Sequence, residues 1–198
     1  MDSIAGVVLA GGKSTRMGRD KAFVDFRGEP LVGHAIKRLA PQVARVAISA
    51  NGDPQRFAAF GAPVLPDVSP GHPGPLAGIL AGLKFFAREN GFEAIVTVPC
   101  DAPFAPRDLV ARLVAARRAE GAVVAASTRG VDPLFALWPL AAADAVEAAL
   151  AKGDASVWRL LEGIAAAQVD IPVGRGADWT LNLNAPEELA AAEGFSPS

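Results

Sequence analysis

The chain predicts an α/β protein of three layers, with helices on both faces of a mostly parallel, doubly wound sheet. Two observations carry this. Short β-branched runs alternate with segments whose apolar residues recur at helical spacing, and several of the runs stop at Gly, Asn, Pro or Asp, the residues of strand-to-helix turns. No linker divides the sequence and no stretch repeats at a 20–50-residue period, so one domain is expected over 1–198.

The elements follow in order. Ile4-Ala5-Gly6-Val7-Val8-Leu9-Ala10 is a buried strand entering a Gly11-Gly12 loop, and a helix covers 31–40. Ala44 to Ala50 is a second strand, halted by Asn51-Gly52-Asp53-Pro54, and a shorter one lies near Val64-Leu65. Behind Pro73-Gly74-Pro75, residues Leu76, Ile79, Leu80 and Leu83 share one helical face. Glu93 to Val98 is the next strand, with Pro99-Cys100-Asp101 at its C-terminal end, where open parallel sheets bind ligands. A helix over about 107–118, strands at 122–126 and 134–138, and a helix carrying Val157, Leu160, Leu161 and Ile164 complete the reading.

Of 198 residues, 51% are hydrophobic, and even without the 41 alanines enough larger apolar side chains remain for an ordinary core. The net charge of −2 argues against general nucleic-acid binding. The single cysteine excludes an internal disulfide framework, and a reducing compartment is expected. The apolar run 4–10 is only strand length and no cationic segment precedes it, so neither export signal nor membrane span is expected, which points to the cytoplasm. His34 and His72 stand apart and read as neither ligand nor base. Cys100 has no His-plus-acid company and reads as a buried thiol.

The charge is unevenly spread. Residues 13–21 hold Lys13, Arg16, Arg19 and Lys21 against Asp20, a local +3 on an otherwise acidic chain. Such a glycine-rich, cationic loop leaving a buried strand suits a polyphosphate, whose oxygens accept from backbone N–H groups and from Arg or Lys. A lone Gly-Gly-Lys would instead be read as a solvated turn; the density of cations favours the ligand. Gly12-Lys13-Ser14 is not a P-loop, because that pattern needs glycine at position 7, which is Val7, and Gly6 misses by one place.

Taken in order, Leu9-Ala10-Gly11-Gly12, Arg16-Met17-Gly18, Asp20-Lys21, Ser49-Ala50-Asn51, Pro73-Gly74-Pro75-Leu76-Ala77-Gly78, Pro99-Cys100-Asp101 and Asn182-Leu183-Asn184-Ala185-Pro186-Glu187-Glu188-Leu189 give a sequence that resembles the MobA-like nucleotidyltransferases along nearly its whole length. The resemblance implies a Rossmann-like sheet of the nucleotide-diphospho-sugar-transferase type. It further implies a nucleotide-binding half at 1–105 and an acceptor-binding half at 106–195. The activity implied is transfer of GMP from GTP to the phosphate of molybdenum-molybdopterin, with release of pyrophosphate. Related cytidylyl enzymes usually carry alanine where this chain has Gly11, so the resemblance favours guanine.

Site residues come from the same likeness. It implies GTP over Leu9, Ala10, Gly11 and Gly12, with Arg16 and Lys21 on the phosphates and Asp101 as ligand to Mg²⁺, a hard cation satisfied by one or two carboxylates plus phosphate oxygens. From the residues alone, Asp101 serves equally well as the cap of a helix starting near Pro106. Asn51 and Asp67 match positions that bind the guanine nucleotide, although both types are also ordinary turn residues. Asn182 and Asn184 alternate with Leu181 and Leu183, so a strand would aim both amides one way, toward the acceptor or metal side of the cleft.

Two positions depart from the family pattern. Ala185 stands where a threonine commonly caps the last helix, a loss of about 1 kcal/mol. Asp154-Ala155-Ser156 occupies a place that often holds a basic residue, leaving Arg159, one turn on, as substitute for the acceptor phosphate or as a plain surface arginine. Contacts with cofactor-delivery proteins and apo-molybdoenzymes are implied partners. The alternatives are another nucleotidyltransferase of the same fold, cytidylyl or sugar-phosphate, and a non-catalytic nucleotide-sensing module.

Overall fold

The computed structural model describes residues 3–11, 20–68, 74–119, 121–173, 178–181, 183 and 186–194. Among these, the main sheet has seven strands: β1 (Ile4–Leu9), β4 (Arg45–Ser49), β5 (Val64–Leu65), β6 (Ala94–Pro99), β7 (Val123–Ser127), β8 (Gly130–Pro139) and β9 (Ala167–Asp170), in the order β5-β4-β1-β6-β8-β7-β9. β2 (Asp25–Phe26) and β3 (Glu29–Pro30) form a separate small hairpin.

The sheet is mostly parallel, as expected. β8 alone runs against the rest, pairing antiparallel with β6 and with β7. The chain goes from β1 outward to β4 and β5, then returns across β1 to β6, so β1 lies at the switch point where open sheets of this kind leave a crevice.

Alternation along the strands divides the core into two layers. Ile4 and Val8 of β1 join α1 (Leu31–Leu39), α3 (Leu109–Ala116) and Phe57; Ala5, Val7 and Leu9 join α2 (Pro75–Phe86), α4 (Ala143–Ala151) and α5 (Val157–Gly163). Nearly every side chain of α2 is buried, because α4 covers the face turned from the sheet. Gly78 and Gly82 let α2 press onto the strands: a Cβ at Gly78 would lie 2.3 Å from Ser49 Oγ, and one at Gly82 would lie 2.7 Å from Val7 Cγ2. A third cluster joins Val24, Phe26, Leu31, Phe104 and Leu183 to Ala192 of α6 (Pro186–Glu193).

Several expectations change. The helix placed at 107–118 is shorter, Leu109–Ala116, and begins after Asp108, while Gln42 satisfies its first turn by accepting from the Val110 N–H at 3.0 Å. β9 and the β2–β3 hairpin had no expectation. The hairpin turns on Arg27 (φ 57°) and Gly28 (φ 78°), the left-handed pair of a two-residue connection, and Arg27 donates to the Ala192 carbonyl at 2.9 Å. Leu181 and Leu183 belong to no strand; Leu183 is nevertheless buried in the third cluster, so the inward-leucine part of that reading stands without the strand.

Candidate active site at the switch point

Parallel hydrogen bonding continues one residue beyond the strand ends. Ala10 N–H donates to Ser49 O at 2.8 Å, Ala50 N–H to Leu65 O at 3.1 Å, and Cys100 N–H to Leu9 O at 3.1 Å. Gly11, Asn51 and Asp101 therefore leave the same edge of the sheet side by side, with Asp67 two residues past β5. A Cβ at Gly11 would lie 3.9 Å from Asn51 Nδ2, ordinary contact, so protein packing does not demand glycine there.

The sheet edge and the loop's end bring Lys21 and Asp101, eighty positions apart, into direct contact: the ammonium donates to the Asp101 carboxylate. Lys21 opens a single 3₁₀ turn, Lys21–Phe23, and Asp20 caps that turn. Asp101 is 9% exposed, and its own carbonyl accepts from Leu183 N–H at 3.0 Å. The following helix α3 has Asp108, not Asp101, at its N-cap position. Cys100, buried beside it, has its thiol pushed up by desolvation first and by the Asp101 charge second, which makes it a protonated, inert neighbour.

Asn51 and Asp67 hold each other. Asn51 Nδ2 donates to Asp67 Oδ2 at 2.6 Å, while the Asp67 N–H donates to Asn51 Oδ1 at 3.0 Å. Both ends of the amide are thus engaged, and the second carboxylate oxygen of Asp67 is fixed in direction.

A residue without a sequence expectation joins the group. Asp132 lies on β8 beside the bulge where β7 and β8 lose register, between Val124 and Ala125; Thr97 Oγ1, in turn, donates to Leu134 O at 2.8 Å within that irregular stretch. Desolvation raises the Asp132 carboxyl, a bond from Leu134 N–H partly offsets this, and the Asp101 charge raises it further. Its signal in the sequence was an aspartate two residues before an apolar strand run.

Arg159 does not stand free for an acceptor. It makes two bonds to Asp154, at 2.9 and 2.7 Å, and these are the main cause holding the Asp154 carboxyl down to about 2. Ser156 caps α5 by accepting from Arg159 N–H, so Asp154-Ala155-Ser156 is a helix start. Gly12, Arg16, Asn182 and Asn184 lie outside the described residues.

The donor set fits a hard divalent cation: carboxylate oxygens from Asp101, with Asp132 close enough to feel its charge, and among the described residues no histidine or thiolate in the group. Among the described residues no three His, Cys, Asp or Glu converge, so phosphate and water oxygens would complete such a shell. No described helix is long and apolar enough to cross a membrane.

Comparison with known proteins agrees with this geometry. A family profile described as the MobA-like NTP transferase domain matches residues 6–170. A molybdenum cofactor guanylyltransferase of Cereibacter sphaeroides is 48% identical over 190 residues, covering 95% of this chain and 94% of the relative. One of Rhizobium meliloti (strain 1021) is 43% identical over 198 residues, covering 96% and 91%. Among solved structures, molybdopterin-guanine dinucleotide biosynthesis protein A from Archaeoglobus fulgidus has a TM-score of 0.74 at 24% identity, covering 96% of each chain. A 4-diphosphocytidyl-2C-methyl-D-erythritol synthase from Anaerococcus prevotii has a TM-score of 0.70 at 14% identity, covering 97% of this chain and 95% of that one. At these identities the structural likeness is one of fold.

Proposed function

This chain belongs to the MobA-like NTP transferase family, and from that premise we propose that it is a guanylyltransferase of the molybdenum cofactor. It transfers GMP from GTP to the terminal phosphate of molybdenum-molybdopterin and releases pyrophosphate. The observation that carries the reading is the convergence of three things on one sheet edge: the glycine-rich end of β1, the Lys21–Asp101 contact and the Asn51–Asp67 interlock.

Each group has a task. The terminal phosphate oxygen of molybdopterin attacks the α-phosphorus of GTP; a P–O bond forms as the bond to the β-phosphate bridge breaks. That phosphate is already ionised, so no general base is needed, and catalysis reduces to in-line positioning and charge stabilisation. Lys21 offers its ammonium to the donor phosphates, together with Arg16 on the sequence reading. Gly11 leaves room for a purine beside Asn51. Asp67 accepts from guanine N1–H and N2–H₂, and Asn51, engaged at both ends of its amide, orients that carboxylate instead of reading the base itself.

Mg²⁺ would be held by Asp101, with Asp132 beside it, and when bound it supplies charge neutralisation on the phosphates and the leaving pyrophosphate. Residues 1–105 carry the nucleotide and 106–195 face the acceptor, with Asn182 and Asn184 on the acceptor side. The reaction takes place in the cytoplasm, where delivery proteins and apo-molybdoenzymes are the partners expected to supply and receive the cofactor.

A donor-by-acceptor matrix with Mg²⁺, read by pyrophosphate release, tests this. Release is expected with GTP and molybdopterin together. Release with CTP in place of GTP would reassign the enzyme to the cytidylyl branch, and nucleotide binding with no turnover for any acceptor would make it a sensing module.

A further inference from the structure

Arg56 belongs to none of the motifs above, yet it meets the cation-rich loop where that loop rejoins the fold. It sits on the 3₁₀ helix Pro54–Phe60, which Asp53 caps by accepting from Gln55 N–H at 2.9 Å. Its guanidinium makes two contacts to one short turn. At the start of the turn it lies 2.8 Å from Asp20 Oδ2. At the end it stacks over the Phe23 ring, 4.2 Å from the centroid. Phe23 in turn packs against Phe57, 4.8 Å between centroids, and Phe57 is 1% exposed.

The residue gripped between these contacts is Lys21. Asp20 divides its carboxylate between two jobs: Oδ1 accepts from Ala22 N–H at 3.2 Å and closes the turn, while Oδ2 meets Arg56. The backbone turn that carries Lys21 is therefore held at both ends, at Asp20 and at Phe23, while its ammonium reaches Asp101. An exposed ion pair alone is a weak tether. A planar guanidinium that pairs with a carboxylate and stacks on an aromatic ring of the same turn restrains it in two directions, which an ammonium does less well.

We infer that Arg56 is a positioning residue for the phosphate-binding machinery: it fixes the Asp20–Phe23 turn so that Lys21 meets the triphosphate of the donor. The inference rests on the proposed reading of Lys21 as a phosphate ligand, and it ties the segment after Asn51 to the phosphate end of the same nucleotide.

A double-mutant cycle tests it, using Arg56→Ala, Arg56→Lys, Lys21→Ala and the double variant Arg56→Ala/Lys21→Ala in the full chain, with GTP and guanosine as separate probes. Arg56→Ala is expected to weaken GTP binding and kcat/KM about tenfold, the scale of a displaced charged contact. Guanosine, which has no phosphate, is expected to bind with unchanged affinity. Arg56→Lys recovers part of the loss, and Arg56→Ala adds nothing once Lys21 is alanine.

If the two single losses multiply in the double variant, or if guanosine weakens as much as GTP, Arg56 is not positioning Lys21 and the inference is overturned. Full GTP affinity in Lys21→Ala overturns the phosphate reading of Lys21 itself and the inference with it, a result distinct from the others. Should Arg56→Ala lose its fold on heating scans, Asp20→Asn carries the same test, because it keeps an oxygen for the turn but removes the charge that Arg56 holds.

Discussion

Strands β5, β4, β1 and β6 end on the same edge, and each delivers a polar group or a bare backbone to one crevice: Asp67, Asn51, Gly11 and Asp101. Strands β8, β7 and β9 continue the sheet without a break, yet the candidate group they add is Asp132, delivered by a reversed strand beside a bulge. The difference follows from direction. Parallel strands present their C-terminal ends together, so consecutive β–α units stack their loops; the reversed β8 instead starts on that edge and delivers Asp132, the third of its ten residues, beside a register break. The first half is a ready nucleotide cradle, and the second half adds single residues to it.

The largest expected effect breaks the cradle. Asp101→Ala should lower GMP transfer by about a thousandfold or more, the scale of lost charge stabilisation at a phosphoryl centre, with an unchanged circular dichroism spectrum. Near-normal pyrophosphate release from this variant would sink the metal assignment.

Asp67→Asn should come next. It replaces a carboxylate that accepts twice with an amide that accepts once, so KM for GTP is expected to rise about 10- to 100-fold and the preference for GTP over ITP to shrink. Measuring both donors separates base reading from general damage, since a merely structural loss would move both alike.

Gly78→Ala probes how the cradle is packed. A Cβ placed 2.3 Å from Ser49 Oγ must push α2 or β4 aside, and a loss of about 1–3 kcal/mol in denaturant unfolding is expected. Unchanged stability would mean that α2 is not pressed onto the strand ends as described.

Asp132 gives a smaller effect with a definite sign. Its ordinary value is 3.8, and the folded protein raises it, so folding favours the protonated form. Stability should therefore fall as pH rises from the unfolded value through the folded one, and remain lower above it. Asp132→Asn removes that slope and should raise Tm at neutral pH while weakening the response to Mg²⁺. A lower Tm at neutral pH would contradict the burial-driven rise of the Asp132 carboxyl.

Smallest of all, Arg159→Ala should leave GTP affinity and transfer within about twofold, as for an exposed pair held by its own neighbour. A large drop in turnover with molybdopterin would return Arg159 to the acceptor site.

Much of the first half was legible because its signals are local. β-Branched runs ending in Gly, Asn or Pro, and the i, i+3, i+4 face of α2, need no tertiary context. Strand direction is not a periodic property, so nothing in Leu134 to Trp138 announced that β8 is reversed. Two-residue strands such as β2 and β3 have no period to read, and β9, four residues at the sheet edge, alternates too briefly. In the site, family likeness singled out Lys21, Asn51, Asp67 and Asp101, but the Lys21–Asp101 and Asn51–Asp67 contacts are long-range facts of the fold. Arg56 had no signal, because an arginine on a short surface helix looks like any other. Arg159 was read both as an acceptor cation and as a plain surface arginine, and its pairing with Asp154 is a contact that spacing along the chain does not show.

The burial of Cys100 gives the protein a self-reporting clock. Electrophiles attack thiolates, and this sulfur is kept both protonated and covered just past the end of β6, so labelling must wait until the chain opens there. The rate of alkylation in native buffer would then time the opening of the strand's end from a single natural probe, next door to the carboxylate on which the chemistry depends.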